Sequence, residues 1–373
     1  IPDFRLEQQL NRPGYREAIE AAIECLTNPK YGVLQNVSEI DAAGHRTVHG
    51  GDKFTHSVLV DRDVITKMEQ CSHLAPLHNP ANLAGINQAM ALLPKTPQVA
   101  VFDTAFHQTI PLHASLYAMP YEIYETYGIR KYGFHGTSCQ YIVHRASRLL
   151  GKPAEEMRMV ICHLGNGVSV TAVKNGHSVE NSLGFTSLEG AIMGTRCGAL
   201  DPGVILYLMT ELNFSAEQVY NMLYYKSGLL GISGVSNDMR TITDLAEEGN
   251  PRCRLAIEMF AYRLKKYIGS YIAVMGGIDL LVFTGGIGEN SPIVRSLAVE
   301  ELGFLGIEID PELNEKALSV ESLIHRKPCL VAIAVIPTNE EWMIAKETLE
   351  VLAARDIKNA IEKGREVLKE LSS

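Results

Sequence analysis

Two arginines are set among glycines: Arg46 in the run Gly44 to Gly51, GHRTVHGG, and Arg196 in Met193 to Gly198, MGTRCG. Glycine lets backbone pack closely while a guanidinium reaches into a cleft, and its planar fork matches carboxylate or phosphoryl oxygens. A charge pair at about 4 Å is worth about 4 kcal/mol at an effective dielectric of about 20. Realised mainly in a transition state, that is roughly a thousandfold in rate. Either arginine alone also reads as a surface side chain in a loop. Two carboxylates, Asp103 and Glu340, stand at the ends of apolar runs and suit a hard, oxygen-seeking cation such as Mg2+ or Mn2+, bound directly or through water. The plain alternatives are a helix cap for Asp103 and a solvated helix start for Glu340.

His45, His78, His107, His135 and His163 fall close to these motifs. Their spacing matches no zinc pattern, and Mg2+ prefers oxygen. One or two therefore read as hydrogen-bond donors to a phosphate or a transition state, and the rest as packed or capping residues. Gly165-Asn166-Gly167, following His163, and Gly285-Gly286-Ile287-Gly288 are turns whose backbone N–H groups could surround an anion. Each is also an ordinary turn in its own right, since Gly and Asn are the usual turn residues. The chain contains no GxxxxGK[ST] loop, no complete GxGxxG and no HExxH, so a nucleotide site must be of another type.

Buried strands must present these groups. Val99–Phe102, Met159–Cys162, Leu280–Phe283 and Leu330–Ile336 are short continuous apolar runs, the pattern of strands covered on both faces. Each ends in polar or Gly-rich residues, and ligands of α/β sheets bind at carboxyl ends. Val168 to Val173 follows the Asn166-Gly167 turn and leads into Asn175-Gly176, which predicts a hairpin and a further strand. Helical periodicity runs through Tyr15, Ala18, Ile19, Ala22, Ile23 and Leu26 after Pro13, and through Leu83, Ile86, Met90 and Leu93 after a cap-plus-proline start at Asn79-Pro80. A stripe of Phe260, Leu264, Tyr267, Ile268, Tyr271, Ile272 and Met275 predicts a long helix over a sheet face. Glu341 to Ser373 reads as helix, amphipathic at Ile357, Ile361, Leu368 and Leu371.

At 373 residues the chain is long enough for two domains. A net charge of −9 excludes an obvious nucleic-acid surface but not small anionic substrates. The seven cysteines form no CxxC pair, so a reducing, cytoplasmic setting without disulfides is expected. No uninterrupted apolar stretch has the length of a membrane span. The chain begins at Ile1 with no basic region and apolar core, so no signal peptide is expected.

Assembled in order, these residues resemble the acetate kinase family. The resemblance runs from about Ala43 to Leu352 and rests on GHRTVHGG, LAPLHNP (Leu74 to Pro80), VFDTAFHQT (Val101 to Thr109), RKYGFHGTS (Arg130 to Ser138), CHLGNG, GTRCG, GVSNDMR (Gly234 to Arg240), FTGGIGEN and IPTNEE. It implies an α/β chain of the fold shared with sugar kinases, Hsp70 and actin (ribonuclease H-like), two domains closing on ATP in a cleft between them. The first would comprise residues 1–105 and 343–373; the second, nucleotide-binding and dimer-forming, 106–342. The implied activity is Mg2+-dependent, reversible phosphoryl transfer between ATP and acetate, giving ADP and acetyl phosphate, in a homodimer.

By matching motif, Arg46 and Arg196 would hold the carboxylate and stabilise the transition state, with His135 donating to it and His78 and His163 in support. Asp103 and Glu340 would orient the metal. His163, Gly165, Asn166 and Gly167 would face the nucleotide phosphates; Asp238, Met239, Arg240, Gly286, Ile287, Gly288 and Asn290 would bind the nucleotide; and Val48, Leu77, Phe134 and Ser187 would line the pocket for the acetate methyl group. Departures from the family pattern are Ser187 where proline is usual, Cys139 where histidine is usual, and no Asn-x-Gly-Ser-Ser-Ser phosphate loop. The last raises the expectation of a fragment, or a chain that has lost that loop, with impaired catalysis and an unpaired sheet edge. The rivals are a propionate or butyrate kinase and a nucleotide-binding module without turnover.

Overall fold

The apolar runs become strands. The computed structural model describes residue 7 and residues 14–76 and 78–370, with side chains to residue 357. It divides into two units, residues 1–103 with 344–373, and residues 104–343.

In the first unit β1 (Ala43–Thr47), β2 (Val58–Leu59) and β3 (Gln98–Phe102) form a sheet in the order β1-β3-β2. β3 is buried along its whole length, parallel to β1 and antiparallel to β2. Register sets Arg46 opposite Val101 and Thr47 opposite Phe102, and the Asp103 N–H bonds Thr47 O at 2.9 Å. Arg46 and Asp103 therefore leave the same sheet end together. Gly44 lies against Ile344 and Thr348 of the C-terminal helix, where a β-carbon would clash.

The first predicted helix is Tyr15–Thr27, with none of its residues buried; Pro13 lies outside the described residues. The second is Asn79–Leu92 with Pro80 in its first turn. Asn79 does not cap it. Its buried amide instead clasps the backbone of His49, accepting from the N–H at 3.2 Å and donating to the carbonyl at 2.9 Å. Asn82, three residues on, accepts the Val48 N–H at 3.1 Å, so one helix face fixes the chain just beyond Arg46.

In the second unit β4 (Arg158–Leu164), β5 (Val168–Lys174), β6 (His177–Asn181), β7 (Leu280–Thr284), β8 (Ser322–Leu323) and β9 (Ala332–Val335) form a mixed sheet ordered β6-β5-β4-β7-β9-β8. β4, β7 and β9 are parallel, with Cys162 beside Phe283 and Phe283 beside Val335, so their carboxyl ends share one edge. Both expected Asn-Gly hairpins are present, the second with Asn175 and Gly176 left-handed. Met159, Ile161, Leu280, Val282 and Ala334 pack with Ile142 and Ala146 of the helix Gly136–Leu150. The opposite face takes the helix Pro251–Met275, whose buried stripe runs from Cys253 to Met275; Tyr267 is only half-buried.

Three expectations are corrected here. The strand expected over Leu330–Ile336 is Ala332–Val335, and Leu330 is exposed. The run from Gly285 to Asn290 is not a turn but a short helix leaving β7 directly. The C-terminal helix starts at Glu340 and runs to Glu370, with Ile357 exposed; the side chains of Ile361 and Leu368, and Leu371, lie outside what is described.

Candidate active site

At the carboxyl end of β4 the hairpin loop closes with the Gly165 N–H on Gly167 O at 3.0 Å. Asn166 is tied from two sides: its side-chain oxygen accepts from Asn237 Nδ2 at 3.0 Å and its carbonyl from the Gly194 N–H at 3.0 Å. A β-carbon on Gly194 would overlap the Asn166 amide, so only glycine permits this approach. Gly165 and Asn166 then form one wall of a cavity of about 830 Å3, together with Asp238, Met239, Arg240, Gly286, Ile287 and Asn290. Three segments far apart in sequence are thus brought to one place.

Three residues expected beside them are not in that wall. His163 and Gly167 belong to the neighbouring cluster described below, and Gly288 packs under β7, its β-carbon position 3.3 Å from the Phe283 carbonyl carbon. Sequence reasoning missed Asn237, Thr243, Asp244, Glu247, Ser291, Pro292, Ile293 and Glu315. Thr243 and Glu247 follow Arg240 at helical spacing on the helix Met239–Glu247, a signal that was available; Glu315 carries none. Asp238 caps that helix through the Arg240 N–H and pairs with the Arg240 guanidinium at 2.8 Å, which holds its carboxyl below the usual carboxylate range.

Beside the cavity, His135 adopts a left-handed conformation, φ 59° and ψ 30°, at the start of the helix Gly136–Leu150. Its Nδ1 lies 2.9 Å from Ser169 Oγ, and its ring stacks on His163 at 4.2 Å between centroids. His163 Nδ1 meets Ser138 Oγ at 2.8 Å, which in turn meets Thr338 Oγ1 at 2.8 Å. A β-carbon on Gly167 would lie 3.3 Å from His135 Nε2 and 3.6 Å from Arg196 Nη1, so a histidine and an arginine converge over that glycine. Arg196 donates from Nη1 to Ser187 O at 3.1 Å and touches Met193 Sδ at 3.6 Å. Burial lowers its pKa, with Tyr224, Tyr225 and Tyr220 partly opposing, although an arginine stays charged. Ser187 contributes its carbonyl here. Glu289, also missed, accepts the N–H groups of Gly285 at 2.8 Å and Thr338 at 3.1 Å and ties β7 to the segment after β9.

Glu340 is half-buried in the first turn of its helix, which Asn339 caps through the Trp342 N–H at 2.8 Å. Phe134 is buried in the same unit, and Cys139, also buried, lies 3.3 Å from Thr171 Oγ1. In the first unit Arg46 Nη2 pairs with Asp103 Oδ2 at 2.9 Å; the carboxylate is buried while the arginine is about two-fifths exposed. The cap of the following 3-10 helix, Ala105–Thr109, is Thr104, so Asp103 is not a helix cap. Val48 is half-buried, His78 exposed, and Leu77 outside the described residues. His45 is a packed residue, held at 2.7 Å by Gln98 with its pKa lowered by burial. Among the described residues, no three His, Cys, Asp or Glu side chains gather as a ready-made metal cage, and no helix is long and apolar enough to cross a membrane.

Residues 4–346 match the family model described as the acetokinase family. The chain belongs to the acetokinase family. The acetate kinase of Halothermothrix orenii is 53% identical over 340 residues, covering 91% of this chain and 85% of the relative. That of Clostridium novyi is 48% identical over 355 residues, 95% of this chain and 88% of the relative. Among solved structures, Porphyromonas gingivalis acetate kinase superposes with a TM-score of 0.88 at 47% identity, covering 91% of this chain and 85% of that one. A propionate kinase from Francisella tularensis superposes with a TM-score of 0.85 at 43% identity, covering 92% and 86%. The mixed α/β sheets described above are therefore those of an acetokinase-family fold.

Proposed function

We propose that this chain is an acetate kinase: an acetate oxygen attacks the γ-phosphorus of ATP, the bond to the β–γ bridging oxygen breaks, and acetyl phosphate and ADP result, reversibly. The observation that carries this reading is the convergence of His135 and Arg196 over Gly167, beside a nucleotide-sized cavity, in a chain about half identical to acetate kinases. The cavity's carboxylates, Asp238, Asp244, Glu247 and Glu315, suit ribose hydroxyls and repel phosphates. The phosphates then belong at the Gly165–Gly167 loop, with His163 in support.

Such a transfer needs positioning and charge stabilisation more than covalent help. Arg196 and His135 meet the charge that develops on the phosphoryl oxygens; Arg46, with His78 in support, holds the acid's carboxylate; and Phe134, Val48 and Ser187, with Leu77, accommodate its methyl group. Asp103 and Glu340 are the carboxylates that fit Mg2+, since that ion uses one or two carboxylates together with phosphates and water rather than a protein cage. When bound, Mg2+ supplies neutralisation of phosphate charge.

The helix Pro202–Thr210 supports a homodimer: it is strongly apolar, has no buried residue, and leaves Val204, Leu206, Tyr207 and Met209 exposed. A second copy of the chain covers such a face most economically. Seven free cysteines fit a reducing cytoplasm.

The deciding experiment is ADP formation from MgATP with acetate, propionate, butyrate or no acid. Turnover that requires acid supports the reading; nucleotide binding without it overturns it in favour of a binding module. A propionate kinase is the second reading, favoured by the Francisella tularensis likeness, and it predicts propionate ahead of acetate in kcat/KM.

A further inference from the structure

A left-handed backbone costs a non-glycine residue roughly 1–2 kcal/mol and persists where its surroundings over-determine it. His135 is such a residue, and the peptide that leads into it is held from below. The carbonyl of Phe134 receives His107 Nε2 at 2.8 Å and Asn181 Nδ2 at 3.3 Å. A carbonyl only accepts, so His107 carries a proton on Nε2; its Nδ1 lies 2.8 Å from Ser178 Oγ. Asn181 is oriented independently, its Oδ1 accepting the Leu183 N–H at 2.8 Å and its Nδ2 donating to Thr171 Oγ1 at 2.9 Å. Gly133 rests on the same two side chains: a β-carbon there would lie 2.9 Å from His107 Cγ and 3.0 Å from Asn181 Cβ. His107, Ser178 and Asn181 are all buried.

We propose that His107, aided by Asn181, is a positioning residue for phosphoryl transfer: donating from Nε2, it locks the Phe134–His135 peptide and thereby aims the His135 ring over Gly167. The proposal rests on the reading of His135 as the donor to the transferring phosphoryl group. His107 itself touches no reacting atom.

The test compares His107→Leu, which removes the donor, with His107→Gln, whose side-chain amide can restore it. His107→Leu should lower kcat about a hundredfold, the scale of an ångström's misplacement, while the KM for ATP stays within about twofold; His107→Gln should recover most of the loss. In a His135→Ala background His107→Leu should cost nothing further, because it acts through that ring. Unchanged kcat in His107→Leu, or an equal loss in both backgrounds, overturns the proposal.

Histidine-labelled NMR supplies an arm independent of turnover. The His135 and His163 ring signals should move in His107→Leu and return in His107→Gln, with His45 unmoved. If His107→Leu does not fold, the unaltered chain decides: 15N shifts should show a proton on His107 Nε2, and the Nδ1–H tautomer overturns the proposal. An unaltered chain without acid-dependent turnover would refute the kinase reading, while the ring signals would still judge the positioning on their own.

Discussion

The two ends of β4 and β7 are built on opposite principles. At the amino ends, Arg158 and Asp279 face one another: the carboxylate accepts the Arg158 N–H at 2.8 Å and two guanidinium bonds at 3.1 and 3.2 Å, and Arg158 Nη1 reaches Gly276 O at 2.8 Å. Charge there is answered by charge. Beyond the carboxyl ends Arg196 is desolvated, its guanidinium meeting a carbonyl and a thioether but no carboxylate among the described residues, and a histidine is held in a costly backbone conformation beside it. A cation desolvated without a counter-charge is an expense that an anionic ligand relieves. One end holds the sheet by an ion pair, and the other is the one read above as the phosphate end.

The harshest challenge to that contrast is Arg196→Ala. We expect kcat to fall a thousandfold or more, about the value of one well-placed cation in the transition state, with little change in Tm. Arg196→Lys should recover little, since a point charge replaces a fork. A lost fold with activity per folded molecule preserved would make Arg196 a structural residue.

The first unit tests how far the contrast extends, because Arg46 already has a carboxylate. Asp103→Asn keeps the shape and removes the counter-charge behind Arg46. An expected loss of about a hundredfold in kcat, with acetate KM altered, would mark the pair as a positioning device for the acid. A fall in Tm with kcat retained would show that the ion pair serves only to fix the sheet end.

Gly167→Ala probes the convergence itself. Its backbone is not left-handed, so the new methyl is felt through space, 3.3 Å from His135 Nε2. About a tenfold drop in kcat is expected, a displacement of tenths of an ångström. Unchanged kcat would mean that His135 and Arg196 do not need their present separation.

Much of this was legible before any coordinates, for a physical reason. Buried parallel strands write themselves as apolar runs, so the places of Asp103, His163 and Asn166 at strand ends could be read from position and type, while Arg46 was singled out by its glycine neighbours and its strand was not foreseen. Asn79 was misread because its partner, His49, lies 30 residues away, and local sequence offers only capping for an asparagine before proline. Gly285–Asn290 was misread because glycine is a poor helix former, and the Glu289 side chain that satisfies the Gly285 N–H becomes apparent only in three dimensions. Glu315 and the buried use of His107 depend wholly on tertiary approach. Val48 and Phe134, placed by likeness alone, gain from the structure a location but not a role.

The gentlest prediction concerns the amino end, where Asp279→Asn should leave acid-dependent turnover unchanged and lower stability. Arg158 holds the Asp279 carboxyl below the ordinary carboxylate range, first through the side-chain hydrogen bond. A depressed folded value means that the unfolded chain binds the proton more readily. The pair's contribution is therefore complete above the unfolded carboxylate value of about 4 and is lost as the pH falls through the lower folded value. Both side chains are about a third exposed, which discounts the pair to roughly 0.5–1 kcal/mol at neutral pH. Denaturation midpoints of the unaltered chain and the variant should differ at pH 7 and converge in acid. A gap that persists at low pH would mean that Asp279 stabilises by packing, and a gap accompanied by lost turnover would break the division of labour between the two ends.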